Sequence, residues 1–146
     1  MGHCIRAIIG EHKITARIAE DWLTKEIELP QGFGMILCTI RLLEDIEEVM
    51  EPSDAPELSE LDYFDASVNE LLENYSFRAK LAYIETDYFG GYGTQAGVLY
   101  ENGKIAGDPK CGDGTINALL KELGVWRTPD TDEFDMLGLG KYRRME

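Results

Sequence analysis

Two β-forming stretches separated by a glycine cluster dominate the second half of the chain. Residues 77–89 form the longest strand candidate, the glycine-rich segment 90–93 interrupts it, and residues 94–100 resume the β pattern. Asn102 and Gly103 follow, and both residue types tolerate the positive φ angles of a two-residue hairpin turn. A short closing strand comes next. Because hairpins join antiparallel strands, this half of the chain predicts an antiparallel sheet.

The first half of the chain mixes strands with a helix. Ile14, Ile18 and Trp22 recur every four residues within segment 11–23, which predicts an amphipathic helix. Alternation at Ile14, Ala16 and Ile18 is also compatible with a strand. Strands are predicted at residues 4–9, 26–29 and 33–42.

Helices complete the predicted fold. Segment 44–60 is the most acidic and holds two prolines, which favours a solvated short helix and loop. Asp65 and Asp113 are suited to cap two further helices, the second of which ends at Gly124. The order of elements is not a regular βαβ series. We therefore predict one α+β domain over residues 1–146, with about three helices packed on one face of a mainly antiparallel sheet.

The composition argues against several classes of function. The 146 residues include 28 acidic and 14 basic residues, a net charge of −14, whereas binding to nucleic acid needs clustered Lys and Arg. No apolar run approaches the roughly 18 residues that span a bilayer. The N-terminus lacks the pattern of a secretion signal. With Cys4 and Cys38 in apolar runs that predict burial, these features predict a cytoplasmic protein without a disulfide framework.

Motifs for cofactors, metals and catalysis are not recognisable. Gly97 and the Gly103-Lys104 pair do not have the spacing of a P-loop, and no helix follows the glycine cluster as a dinucleotide fingerprint requires. His3, His12 and Cys4 do not have the spacing of a zinc site. We therefore predict no cofactor, no tightly bound transition metal and no catalytic residues.

The glycine-interrupted hairpin is the candidate binding site. Alternation along the strands predicts that Glu85, Asp87 and Gln95 converge on one face of the hairpin. One interpretation is a partner-binding face, with residues 83–89 as an exposed aromatic and acidic strand. The alternative is a small ligand-binding or enzymatic site, and a hairpin loop without function is the simplest case. The candidate binding residues are Glu85, Asp87, Tyr88, Gly90, Gly91, Tyr92, Gly93 and Gln95.

Three stretches of the chain carry a resemblance to other proteins. Residues 27–33, 83–96 and 133–140, together with the opening Ala7-Ile8-Ile9-Gly10, resemble a group of small, acidic, uncharacterised bacterial proteins. Some proteins of this kind are similar in size and charge to immunity proteins that neutralise toxins. The resemblance implies a non-enzymatic binding protein, an immunity-type inhibitor of a basic toxin or nuclease. It carries over no catalytic residue, and the oligomeric state stays open.

Overall fold

The structure is a computed structural model that describes residues 2–50, 61, 64, 66–89, 92–107 and 110–145. The described strands are β1 (Arg6–Glu11), β2 (Ile27–Leu29), β3 (Phe33–Leu37), β4 (Leu81–Phe89), β5 (Tyr92–Glu101), β6 (Lys104–Ile105) and β7 (Lys110–Cys111). The described α-helices are α1 (His12–Asp21), α2 (Ile40–Val49), α3 (Ala66–Ser76), α4 (Thr115–Leu123) and α5 (Glu133–Met136).

The strands form one antiparallel sheet, which confirms the predicted α+β class. Its order is β2-β3-β1-β4-β5-β6, and the short β7 pairs with β5 on the same side as β6. β4 is central, because β1 pairs with one of its edges and β5 with the other. The predicted turn at Asn102 and Gly103 is present, with φ angles of 54° and 83°.

Helices cover both faces of the sheet, so the prediction that they pack on one face is wrong. Alternate strand residues such as Ile8 and Tyr83 pack with side chains of α1, α2 and α3; we call this the α1–α3 face. Their neighbours, such as Ile9 and Ile84, pack with α4 and with Leu137 and Leu139; we call this the α4 face. Both sets of strand residues are apolar, and apolar side chains on both faces of a strand require a cover on each side.

The described ranges contain five α-helices, where about three were predicted. One of the additional helices is α2, which overlaps the short helix predicted in segment 44–60 but begins earlier; its residues Ile40 to Leu42 were assigned to the end of a strand. Thr39 explains the difference, because its side chain accepts a hydrogen bond from the Leu42 backbone N–H at 3.2 Å and so starts a helix. The other is the short α5, where Asp132 caps the backbone N–H of Asp135 at 2.9 Å.

The remaining boundaries differ in smaller ways. β4 begins at Leu81, four residues later than predicted. α4 begins after Gly114, which provides no side-chain cap, so the predicted cap at Asp113 is wrong; its predicted end at Gly124 is confirmed. The predicted cap at Asp65 and most of the acidic segment after Met50 lie outside the described residues. In the described ranges, no helix has the length and apolarity that crossing a membrane requires.

The close packing of α4 on the sheet gives a test of the fold. A Cβ atom at Gly97 of β5 would overlap a terminal methyl group of Leu119 and lie 3.0 Å from the Tyr83 carbonyl oxygen. We expect Gly97→Ala to lower the free energy of unfolding by about 1–3 kcal/mol, the usual cost of overpacking a core. Gly140→Ala is the matched control, because a Cβ there meets no atom within 4 Å. Urea denaturation of both variants measures the difference, and equal stabilities would contradict the packing of α4 on β5.

Candidate functional site

The register of the β4–β5 hairpin separates the predicted site residues onto two faces. Phe89 lies opposite Tyr92, so Glu85 is paired with Ala96 and Thr86 with Gln95. Residues directly opposite each other share a face, and neighbours in a strand do not. Glu85 and Asp87 therefore lie on the α1–α3 face, while Gln95 lies on the α4 face. The predicted convergence of these three side chains is wrong. A connection of two residues between β4 and β5 places Gln95 on the face opposite to that of Glu85 and Asp87.

Glu85 is buried, and its partner is a neighbour on the same strand. The Tyr83 hydroxyl donates to Glu85 Oε2 at 2.7 Å, and Arg6 is the cross-strand neighbour of Glu85. Burial raises the pKa of the Tyr83 phenol far above its usual value, and Cys38 and Glu85 raise it further. Burial also raises the pKa of the Cys38 thiol to about 12. At neutral pH Tyr83 and Cys38 are therefore protonated, and the phenol serves as a fixed donor to Glu85.

The expectation that residues 83–89 form an exposed aromatic and acidic strand is wrong for most of its length. Every residue from Leu81 to Thr86 is buried, because β4 is central and covered on both faces. Solvent reaches only the end of the strand, where Asp87 is exposed, Tyr88 is partly exposed and the Phe89 side chain is 84% exposed.

The predicted hairpin tip is described only in part. Gly90 and Gly91 lie outside the described residues, as does the side chain of Tyr92. Gly93 lies opposite Tyr88, and a Cβ atom at this glycine would overlap the backbone of β4. The glycine at position 93 is therefore explained by the close approach of the two strands.

Two of the predicted residues, Tyr88 and Gln95, line a cavity of about 290 Å³ on the α4 face. We call it the Tyr88 pocket. It forms where the exposed end of β4 meets the start of α4, the start of α5 and the N-terminal segment of the chain. Its lining residues are His3, Thr86, Tyr88, Gln95, Ile116, Asn117, Asp132 and Phe134.

Gln95 joins the hairpin to the first turn of α4. Its Nε2 donates to the Tyr88 hydroxyl at 2.9 Å, and its Oε1 accepts from the Ile116 backbone N–H at 2.8 Å. The first N–H groups of a helix have no partner within the helix, and Gly114 supplies no side-chain cap to α4. Gln95 therefore satisfies a helix terminus and fixes the position of the Tyr88 ring at the same time.

His3 and Thr86 close another side of the pocket. The Thr86 hydroxyl lies 2.7 Å from His3 Nδ1 and accepts from the Ile5 backbone N–H at 3.0 Å. His3 Nε2 lies 3.1 Å from the Leu139 carbonyl oxygen, which can only accept, so this nitrogen donates. In the neutral imidazole, Nδ1 then accepts the Thr86 proton. The ring also packs edge-on against Phe134, with centroids 5.4 Å apart.

Asp132 is the charged group of the pocket. It accepts from Asn117 Nδ2 at 3.1 Å through Oδ2 and from the Asp135 backbone N–H at 2.9 Å through Oδ1. An oxygen atom of a carboxylate can accept two hydrogen bonds, so each of the two oxygens of Asp132 can accept one more. The Tyr88 hydroxyl accepts from Gln95 and keeps its own proton to donate. With the apolar walls of Ile116 and Phe134, these groups suit a cationic ligand that has an apolar stem.

Sequence reasoning missed most of this pocket. His3, Asn117, Asp132 and Phe134 come from parts of the chain that no local pattern connects. The one available signal was at Asp132, whose position three residues before Asp135 is typical of a helix N-cap and indicates α5. That signal identifies a helix start but not a pocket.

The structure separates the potential metal ligands that the sequence analysis considered together. His3 lies in the Tyr88 pocket, whereas His12 lies at the start of α1 beside Glu26 and Glu28. All three cysteines are free; Cys38 is buried as predicted, but Cys4 is exposed, and Cys111 is exposed in β7. The burial predicted for Cys4 is wrong: this residue is exposed, whereas its neighbour Ile5 is buried among the residues of the α4 face.

Comparison of the chain with protein-family models, with curated proteins and with solved structures gives no match. Its function therefore has to be inferred from its own residues.

The contribution of the Thr86 hydrogen bonds to the stability of the pocket can be tested by substitution. Thr86→Val keeps the shape of the side chain but leaves the Ile5 N–H and His3 without their partner. We expect the free energy of unfolding to fall by about 1–3 kcal/mol, the cost of burying an unsatisfied polar group. Thr94→Val in β5 is the matched control, because Thr94 is exposed on the neighbouring strand. Denaturant titration checks the prediction, and equal effects of the two substitutions would contradict it.

Proposed function

We propose that the protein is a non-enzymatic, acidic binding protein for a basic partner protein, and that it acts as an immunity-type inhibitor of a basic toxin or nuclease. The observation that carries the proposal is the Tyr88 pocket, where the Asp132 carboxylate keeps free acceptor capacity beside apolar walls. The pocket belongs to a chain with a net charge of −14, which favours cationic partners over any other class.

The size and chemistry of the pocket suit one basic side chain. At about 290 Å³ it is at the small end of ligand pockets, which run from roughly 300 to 1,000 Å³. A Lys or Arg side chain would lay its methylene stem against Ile116 and Phe134 and direct its charge to Asp132. The Tyr88 hydroxyl would donate to a backbone carbonyl of the partner. The hydrogen bonds of Gln95 and His3 hold the walls in place before binding, which reduces the entropy lost on association.

Carboxylates on α2 supply a second contribution. Glu44, Glu47 and Glu48 are exposed, and none of them forms an ion pair with a described residue. Because the carboxylates on α2 outnumber its one basic residue, Arg41, the helix attracts a basic partner and accelerates its encounter. Ile40, half exposed at the start of the same helix, adds an apolar contact.

These features meet at one end of the sheet. α2 starts just after β3, where the Cys38 backbone N–H donates to the Arg6 carbonyl at 2.9 Å, and Arg6 is paired with Glu85. The exposed end of β4, with Asp87 and Phe89, projects beyond the same end. α2 and the Phe89 ring lie on the α1–α3 face and the Tyr88 pocket lies on the α4 face, so a partner that binds all three extends around this end of the sheet.

Affinity capture tests the proposal. Wild-type protein, Asp132→Asn and Asp135→Asn are used as baits in a lysate of the native host, and bound proteins are quantified by mass spectrometry. We expect the wild type to retain a basic protein, and Asp132→Asn to lose most of it, although asparagine still caps α5. Asp135→Asn is the matched control, since it removes the same charge from α5 but does not line the pocket. If both variants retain equal amounts of the basic protein, the pocket is not its binding site. If the wild type retains no basic protein, the proposed partner is contradicted.

Kinetics with the captured protein separate the two contributions. The association rate is expected to fall as salt rises, because the α2 charges are screened beyond about 8 Å at physiological ionic strength. Phe89→Ala is expected to weaken binding by about 2 kcal/mol, or roughly thirtyfold, through faster dissociation, if the ring is buried at the interface centre. Phe77→Ala is the control, because this ring is also exposed, at 70%, but precedes the opposite end of β4. Surface plasmon resonance gives both rates, and a salt-independent association rate would contradict the electrostatic contribution.

A further inference from the structure

Three potential metal ligands meet where β1 passes into α1, on the sheet face opposite the Tyr88 pocket. They are His12, Glu26 and Glu28, and one ligand atom from each lies within 4.8 Å of those from the other two. We propose that these residues form a binding site for a divalent cation of the Zn²⁺ class. The inference is independent of the proposed partner.

The pairing of strands at the edge of the sheet positions this cluster. Glu28 of β2 is paired with Gly34 of β3, which in turn is paired with Gly10 of β1. This row lies on the α1–α3 face, and its two glycines leave space over the sheet. A Cβ atom at Gly34 would overlap the Glu26 carboxylate and the Thr15 hydroxyl, so glycine at this position makes room for the carboxylate.

The ligand atoms are close to the separation that a metal requires. His12 Nδ1 and Glu26 Oε1 are 2.8 Å apart. Nitrogen and oxygen atoms bound at 2.0–2.2 Å to one tetrahedral Zn²⁺ ion are about 3.4 Å apart, so these two atoms must move apart by about 0.6 Å to admit the ion. The Glu28 carboxylate then supplies a third ligand, and a water molecule supplies the fourth.

Thr15 orients the central ligand. Its hydroxyl donates to Glu26 Oε2, which leaves Oε1 directed at His12. The Glu26 side chain is only 10% exposed, whereas that of His12 is 48% exposed. In metal sites, the residues that bind the ion are usually oriented by hydrogen bonds from other residues, as Thr15 orients Glu26.

The ligand set also selects the class of cation. Two carboxylates offset the charge of a divalent ion, and an imidazole ligand favours Zn²⁺ over Mg²⁺ and Ca²⁺, which prefer oxygen ligands alone. Two basic residues are adjacent to ligands in the sequence: Lys13, which forms an ion pair with Glu11 at 3.2 Å, and Lys25, which precedes Glu26 and is exposed, so that solvent and salt screen its repulsion of a cation. The predicted absence of a metal considered His12 only with His3 and Cys4, and the fold assembles a different set.

Titration of untagged, metal-free protein with zinc chloride tests the site. Isothermal titration calorimetry is expected to give one equivalent of bound Zn²⁺, and NMR is expected to show that the His12 ring resonances shift while those of His3 do not. Glu28→Gln is expected to weaken binding at least about tenfold, and because Glu28 is exposed this variant keeps its fold. Glu20→Gln is the matched control, since it removes an exposed carboxylate from α1 outside the cluster.

Several results would overturn the inference. One is the absence of zinc binding, and another is zinc binding that shifts His3 or leaves His12 unmoved, which would assign the ion to the exposed Cys4 or Cys111. A third is equal zinc affinity in the Glu28→Gln and Glu20→Gln variants. None of these results bears on the basic partner, so the two proposals fail or succeed separately.

Discussion

The central position of β4 is the constraint on which the rest of the molecule depends. With β1 hydrogen-bonded to one edge, β5 to the other and helices on both faces, the strand has no exposed side along most of its length. Its polar residues must therefore be satisfied inside the protein, as the Tyr83 hydroxyl satisfies Glu85. Only the last three residues reach solvent, which confines the exposed part of this strand to one end of the sheet.

That constraint also explains which parts of the fold could be predicted from the sequence. Local patterns were sufficient for α1, whose apolar stripe includes Ile14 and Ile18, and for the Asn102-Gly103 turn. They failed where one residue decides between two structures: Thr39 converts an apolar run into the start of α2. They also failed for hairpin parity, because a connection of two residues or of three between β4 and β5 puts Gln95 on opposite faces. Alternation within each strand was predicted, whereas the pairing between strands was not.

The Tyr88 pocket could not be predicted for a different reason. Its members are held by hydrogen bonds between distant parts of the chain, such as His3 with Leu139 and Gln95 with Ile116. Each of these bonds satisfies a group that the fold would otherwise leave unpaired, so most of the polar residues in the pocket have a structural task. Asp132 and Tyr88 are the exceptions, because each keeps hydrogen-bonding capacity after its internal partners are counted. The binding chemistry of the pocket therefore resides in these two residues, and the others fix its shape.

The same distinction applies to the acidic residues of the whole chain. Some carboxylates have partners close by: Glu26 contacts His12 and the Thr15 hydroxyl, and Asp21 contacts the Tyr75 hydroxyl and Arg17. The hydrogen bond from Tyr75 holds the pKa of Asp21 below its usual value, which shows that this carboxylate is stabilised in its charged form. α2 carries Glu44, Asp45, Glu47 and Glu48 but one basic residue, Arg41, so the repulsion among its carboxylates is only partly offset within the helix. Repulsion of this kind destabilises the compact state, and a bound basic surface relieves it. A basic partner surface therefore gains from contact with α2, while a divalent ion at the Glu26 cluster takes the place of the contact between His12 and Glu26 and leaves the hydrogen bond from Thr15 intact.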